Sequence, residues 1–145
     1  RSVRRQRVAR SSEVAAGQLR GDPSVAPRCV EEKAFSYMGD DCQYYLSRGS
    51  DPSASPILLI HPVGVGLSKW FWEPFIEEFK RKHPQNDIYA PDLLGCGSCR
   101  RYEEELGKGP DTDLAEQWAK QLRSFSEDVI KRPAVVVTQG ALGTV

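Results

Sequence analysis

The chain has 145 residues, 39% of them apolar and 28% charged, with no formal net charge. That is an ordinary globular composition, and no apolar run approaches the roughly 20 residues that a membrane-spanning helix needs. The only methionine is Met38, so the sequence is expected to be a processed or partial chain.

Charge is concentrated at the start. Arg1, Arg4, Arg5, Arg7, Arg10, Arg20 and Arg28 face only Glu13 and Asp22, among serine, alanine and valine filler. Such a segment buries too little apolar surface to order itself. An arginine-rich, serine-containing, acid-poor head reads as an organelle transit peptide, and residues 1–30 are set apart on that basis. The alternative, a basic arm for nucleic acid, lacks interleaved aromatics and a reader fold, and the rest of the chain is net acidic. No nucleic-acid partner is expected.

Structure begins at Glu31. Two aromatic, alternating runs between Phe35 and Leu46 flank a Gly-Asp-Asp turn and predict a hairpin with strands at 33–38 and 42–47. A Ser/Pro/Gly loop, Gly49 to Pro56, leads into Ile57-Leu-Leu-Ile60, the wholly apolar run of a parallel strand buried on both faces. Ser68 is placed to cap a helix running to Lys82, with Trp70, Phe71, Pro74, Phe75 and Phe79 at apolar spacing. Pro74 either lies in its first turn or moves its start later. A fourth strand is predicted at 87–90 and a charged loop from Arg100 to Pro110. A second helix follows, capped by Asp111 or Thr112 and running through Trp118, Leu122, Phe125 and Ile130. The last strand, 134–138, reads as buried. Strands alternating with helices imply βαβ units and a mainly parallel sheet.

Three segments carry a resemblance. His61-Pro-Val-Gly-Val-Gly-Leu-Ser68 follows the third strand, Tyr89-Ala-Pro-Asp-Leu-Leu-Gly-Cys-Gly97 spans the fourth, and Val135 to Gly143 forms the strand and turn at the end. In this order they resemble the His-Gly loop, the Pro-Asp-Leu-x-Gly-x-Gly turn and the nucleophile elbow of the α/β-hydrolases. The similarity covers about Phe35 to Val145, the N-terminal half of that α/β fold, and is best matched in a branch found in cyanobacteria and plastids. It implies a mainly parallel sheet of order 1-2-4-3-5 with an N-terminal antiparallel hairpin, helices on both faces, and a last strand left as an edge. Residues 31–145 are assigned to this domain, and a plastid location follows, with mitochondrion or cytoplasm as alternatives.

The elbow pattern Gly-x-Ser-x-Gly sets a serine at the strand-to-helix corner. Here the matching position is Gly140, between Gln139 and Ala141, and none of the three is the family nucleophile. The resemblance places the oxyanion-hole donors at Val63 and Ala141, with His61, Pro62 and Gly64 in the loop. Pro62 has no N–H to give. The competing reading makes His61-Pro62 only a tight turn. The family's catalytic histidine lies after the elbow, whereas His61 and His83 are the only histidines and both precede it. Ser68 and Ser98 read as a helix cap and a turn residue, and Asp92 matches a structural turn position.

Cys96-Gly-Ser-Cys99 has the spacing of a redox pair or half a zinc site, although no helix pattern follows it and no second pair completes a metal set. Four cysteines do not make a disulfide framework in a chain of this size. Gly64-Val-Gly66-Leu-Ser-Lys69 imitates a dinucleotide fingerprint but has Lys69 at the third glycine. No cofactor and no metal are expected. The sequence thus supports a family member without serine-hydrolase chemistry that binds a small molecule or protein. Two alternatives stand beside it: an active hydrolase completed by residues beyond Val145, and a redox-responsive protein acting through Cys96 and Cys99.

Overall fold

The computed structural model describes residues 29–99 and 114–140. The arginine-rich head, the Arg100–Pro110 loop, the Asp111 and Thr112 caps and Ala141 lie outside these residues.

Five strands form one sheet in the order β1-β2-β4-β3-β5. They are β1 (Glu31–Tyr37), β2 (Asp40–Ser47), β3 (Ile57–Ile60), β4 (Ile88–Pro91) and β5 (Val135–Thr138). β2 runs antiparallel to both of its neighbours, and β3 is parallel to β4 and to β5. The hairpin turn is tighter than the sequence suggested. Tyr37 pairs with Asp40, so the turn is Met38-Gly39, with φ of 53° and 86°, the two left-handed residues of a type I′ connection.

Two helices cover opposite faces. α1 (Glu73–Lys82) is preceded by a 3-10 turn, Lys69–Trp72, and α2 (Leu114–Phe125) continues into a wider five-residue turn, Ser126–Ile130. Trp72 and Ile76 pack on Tyr45, Ile57, Leu59, Ile88 and Ala90. Trp118, Phe125 and Ile130 pack on Phe35, Tyr44, Leu46, Leu58, Ile60 and Tyr89. The two crossovers travel in opposite directions across the sheet, so equal handedness requires the helices to lie on opposite faces.

Three expectations are corrected. Pro74 moves the start of α1 downstream, and the buried face becomes Trp72 and Ile76, leaving Trp70 half exposed. Ser68 makes no side-chain capping bond; its backbone carbonyl takes the Phe71 N–H at 3.0 Å, and the Asp92 carboxylate takes the Lys69 N–H at 2.8 Å. β5 is not buried: Val135 and Val136 are each 55% exposed, since the strand has only β3 as a neighbour and sits at the margin of both helix-covered faces.

Candidate functional site

The loops that follow β3 and β4 meet at the C-terminal end of the sheet, where open α/β folds bind their ligands. Their meeting is organised by buried polar groups. Asp92, fully buried after β4, accepts from the Lys69 N–H at 2.8 Å, the Lys69 Nζ at 3.0 Å, and the Ser98 N–H and hydroxyl, both at 2.9 Å. Burial by itself would raise this carboxyl, but the Ser98 and Lys69 donors outweigh it and hold the group below the ordinary aspartate range. Lys69 is also buried, with Glu32 at 3.1 Å and Gln43 at 3.2 Å, and it lies over the Tyr45 ring. Two buried charges thus neutralise each other, and the hydrogen bonds complete the satisfaction such a pair needs.

The turn that delivers these donors depends on Gly97. Its φ is +55°, and a Cβ there would collide with the Asp92 carboxylate. Ser98, expected as a simple turn residue, also links strands, since its Oγ accepts the Gln43 N–H at 2.8 Å.

His61 is fully buried at the end of β3. Its Nε2 accepts the Leu93 N–H at 3.1 Å, which assigns the ring proton to Nδ1, 3.0 Å from the Pro62 carbonyl oxygen. Burial, opposed by the Pro62 bond, lowers its pKa. The imidazole is therefore a neutral brace between the two loops. Both nitrogens are engaged, so it is not available to take a proton from a bound molecule. His83 ends α1, its ring tilted at 37° against that of Phe79 with centroids 4.7 Å apart.

Gln121 was not anticipated as a site-forming residue. Its Oε1 accepts the Leu94 N–H at 2.9 Å and its Nε2 donates to the Asp92 carbonyl at 3.0 Å, while Trp118 Nε1 donates to the Leu94 carbonyl at 3.0 Å. A glutamine three residues after Trp118 and four before Phe125 falls on the buried stripe of α2. That position was the available signal.

Between the braced loops lies a cavity of about 340 Å³, lined by Val63, Gly64, Val65, Leu94, Gly95, Cys96, Leu114 and Trp118. It brings together Val63 and Gly64 of the predicted oxyanion loop and Cys96 of the C-x-x-C. Every lining side chain is uncharged, and the Trp118 N–H is already committed to the Leu94 carbonyl. Gly140 follows β5 with φ +75°, and no atom of the described residues lies within 4 Å of where its Cβ would stand. An L-residue side chain would have room there but would carry the strain of that backbone.

The cysteines are arranged differently from the sequence reading. Cys99 is bonded to Cys42 rather than to Cys96, with Cα atoms 4.5 Å apart, and Cys96 and Cys29 are free thiols. Cys42 had shown no paired spacing. It reaches Cys99 because β2 runs beside β4 and the Asp92 N–H continues their ladder onto Gln43. Among the described residues no group of three His, Cys, Asp or Glu is disposed to hold a metal ion, and no helix is long and apolar enough to cross a membrane.

Residues 57–143 match the alpha/beta hydrolase family, and the chain belongs to that family. Among solved structures it is similar to the thioesterase domain from the curacin biosynthetic pathway, at 20% identity and TM-score 0.59 over 77% of this chain and 37% of that one. It is also similar to the Cif epoxide hydrolase from Acinetobacter nosocomialis, at 17% and 0.54 over 83% and 33%. A serine hydrolase from Cycloclasticus zankles matches at 16% and 0.58 over 79% and 38%. At such identities the likeness is one of fold, and the chain spans well under half of each structure. No curated protein matches it.

Proposed function

We propose that this α/β-hydrolase family member carries no serine nucleophile at its elbow and uses the cavity between the β3 and β4 loops to bind a small, uncharged, largely apolar molecule. The observation that carries the reading is Gly140: the left-handed corner after β5 is present, but it bears no oxygen to attack a substrate. Two further observations support it. His61 is occupied at both nitrogens, and the cavity lining offers shape and apolar surface without a charged partner.

The test has two arms. A fluorophosphonate probe is expected to label no serine between Arg1 and Val145 in the protein, and labelling of Ser68, Ser98 or any other serine in this range would overturn the reading. Titration with the neutral fluorophore 1-aminoanthracene should give saturable binding that Val63→Arg weakens at least tenfold. Val63 is half exposed, so the substitution tests the cavity without opening the core. Equal binding by the variant would remove the cavity from the proposal. The matched structures are longer than this chain, so aryl-ester turnover by the protein, with no label before Val145, would instead favour an active hydrolase completed elsewhere in the family fold.

A further inference from the structure

Three of the four cysteines converge on one turn. Cys42 on β2 and Cys99 after β4 are bonded and both have no exposed surface. Cys96 is a free, partly buried thiol packed against the same core cluster, and it lines the open cavity. Cys96 and Cys99 also face each other as an antiparallel bridge pair, tied by the Cys99 N–H to the Cys96 carbonyl at 3.0 Å. Residues opposed in this way have Cα atoms about 4.5–5.5 Å apart, inside the span of about 4.4–6.8 Å that a disulfide accepts. Cys99 is therefore bonded to one buried cysteine and faces the backbone of a second, at the cavity wall, across a span that a disulfide accepts. Cys29 packs on the opposite face of the sheet and takes no part.

We propose that Cys42, Cys96 and Cys99 form a thiol–disulfide exchange site in which Cys96 is the entry thiol for an external dithiol reductant. Disulfide exchange needs a thiolate in direct line with a disulfide sulfur, and the buried Cys42–Cys99 bond offers no surface to an outside thiol. Cys96 supplies the route. Its thiolate attacks the Cys99 sulfur, the Cys42–Cys99 bond breaks as the Cys96–Cys99 bond forms, and the proton released by Cys96 ends on Cys42. No electron leaves the protein in this step. The dithiol then attacks the Cys96 sulfur at the cavity wall and resolves the mixed disulfide with its second thiol. It becomes a disulfide as its two electrons and two protons reduce Cys96 and Cys99. Burial, and then the Asp92 charge, raise the Cys96 thiol, which keeps the exchange slow in the resting protein.

The experiment follows reduction of the folded full chain by dithiothreitol, stopped at timed intervals by acid, with each sample then unfolded in guanidinium, alkylated with iodoacetamide and mapped cysteine by cysteine by peptide mass. Cys42 should be alkylated first, while Cys96 and Cys99 are still linked to each other, and both Cys96→Ser and Cys96→Ala should slow the labelling of Cys42 at least tenfold. Cys42→Ala, oxidised by a diamide reagent, should yield the Cys96–Cys99 disulfide. Either Cys96 variant reducing at the rate of the unmodified protein would overturn the proposal, because the bond would then open by unfolding. So would free Cys42 and Cys99 thiols in protein purified without reductant, or a Cys42→Ala protein that never forms the Cys96–Cys99 bond.

Discussion

The Leu93 amide donates to Nε2 of His61 across 3.1 Å, and through that one bond the loop after β3 is fixed to the loop after β4. The neutral imidazole is required, since a doubly protonated ring has no lone pair to accept. Burial lowers the folded-state pKa of His61, so its contribution to stability is complete above the ordinary histidine value and is lost as pH falls from that value toward the folded one. Thermal melts should show stability declining below about pH 6.5. His61→Leu should lower stability by about 1–3 kcal/mol, the cost of leaving the buried Leu93 amide unsatisfied, and should flatten that decline. An unchanged pH profile in the variant would show that His61 does not set it.

Asp92 acts at lower pH. Its folded pKa is depressed, so its contribution is present above the unfolded aspartate value and disappears as pH falls through the folded value. Asp92→Ala strands the Lys69 ammonium, and a broken buried pair costs about 3–5 kcal/mol. The low end is expected, because Glu32 remains 3.1 Å from the ammonium. Chemical denaturation at pH 7 measures the loss, and a change below 1 kcal/mol would mean that water already reaches the pair.

Gly97→Ala should be as damaging as a much larger substitution elsewhere. An L-residue in the left-handed region costs about 1–2 kcal/mol, and here the new methyl group also displaces the Asp92 carboxylate. Loss of the Ser98 donors should follow, visible as faster exchange of the Ser98 amide. Gly66→Ala provides the comparison, since its φ is also positive but its Cβ would meet no atom of the described residues within 4 Å.

At Gly140 strain and space separate. Gly140→Ser would meet no atom of the described residues and should cost only the backbone term, whereas Gly140→Val adds a β-branched side chain that tolerates positive φ badly, so the valine variant should melt lower. Ester turnover should stay at the unmodified level in both, because neither variant supplies a base beside the corner. A burst of product from Gly140→Ser would reveal a competent base and contradict the proposed function.

The transit-peptide reading of residues 1–30 predicts that this segment, fused to a fluorescent reporter, carries it to plastids. A diffuse cytosolic signal would retire that reading.

The strands were legible because each is an apolar or alternating run punctuated by turn residues, and the order 1-2-4-3-5 that the family resemblance implied is the order observed. What escaped was long-range. Ser68 makes no capping bond, and the first amide of the turn, that of Lys69, is held by a carboxylate from the β4 turn, which no local pattern encodes. Cys42 finds Cys99 only because β2 and β4 are neighbours. The exposure of Val135 and Val136 reflects the place of β5 in the sheet, which composition does not report. The brace functions of His61 and Gln121 belong with these: residue type announced polarity, and only the fold showed what it was spent on.

The position of β3 has a consequence for how the chain is made. Its two partners lie later in the sequence, β4 on one side and β5, through the pairing of Ile57 with Val135, on the other. The β1–β2 hairpin is local and can form as soon as it emerges, but β3 must wait for both flanks, and pairings across such separations are slow to form. Until Val135–Thr138 has been synthesised, the all-apolar segment Ile57–Ile60 carries an unpaired edge. The vulnerable interval in the life of this protein is therefore set by the arrival of its last described strand, and a chaperone acting on the nascent chain would find its clearest target in those four residues.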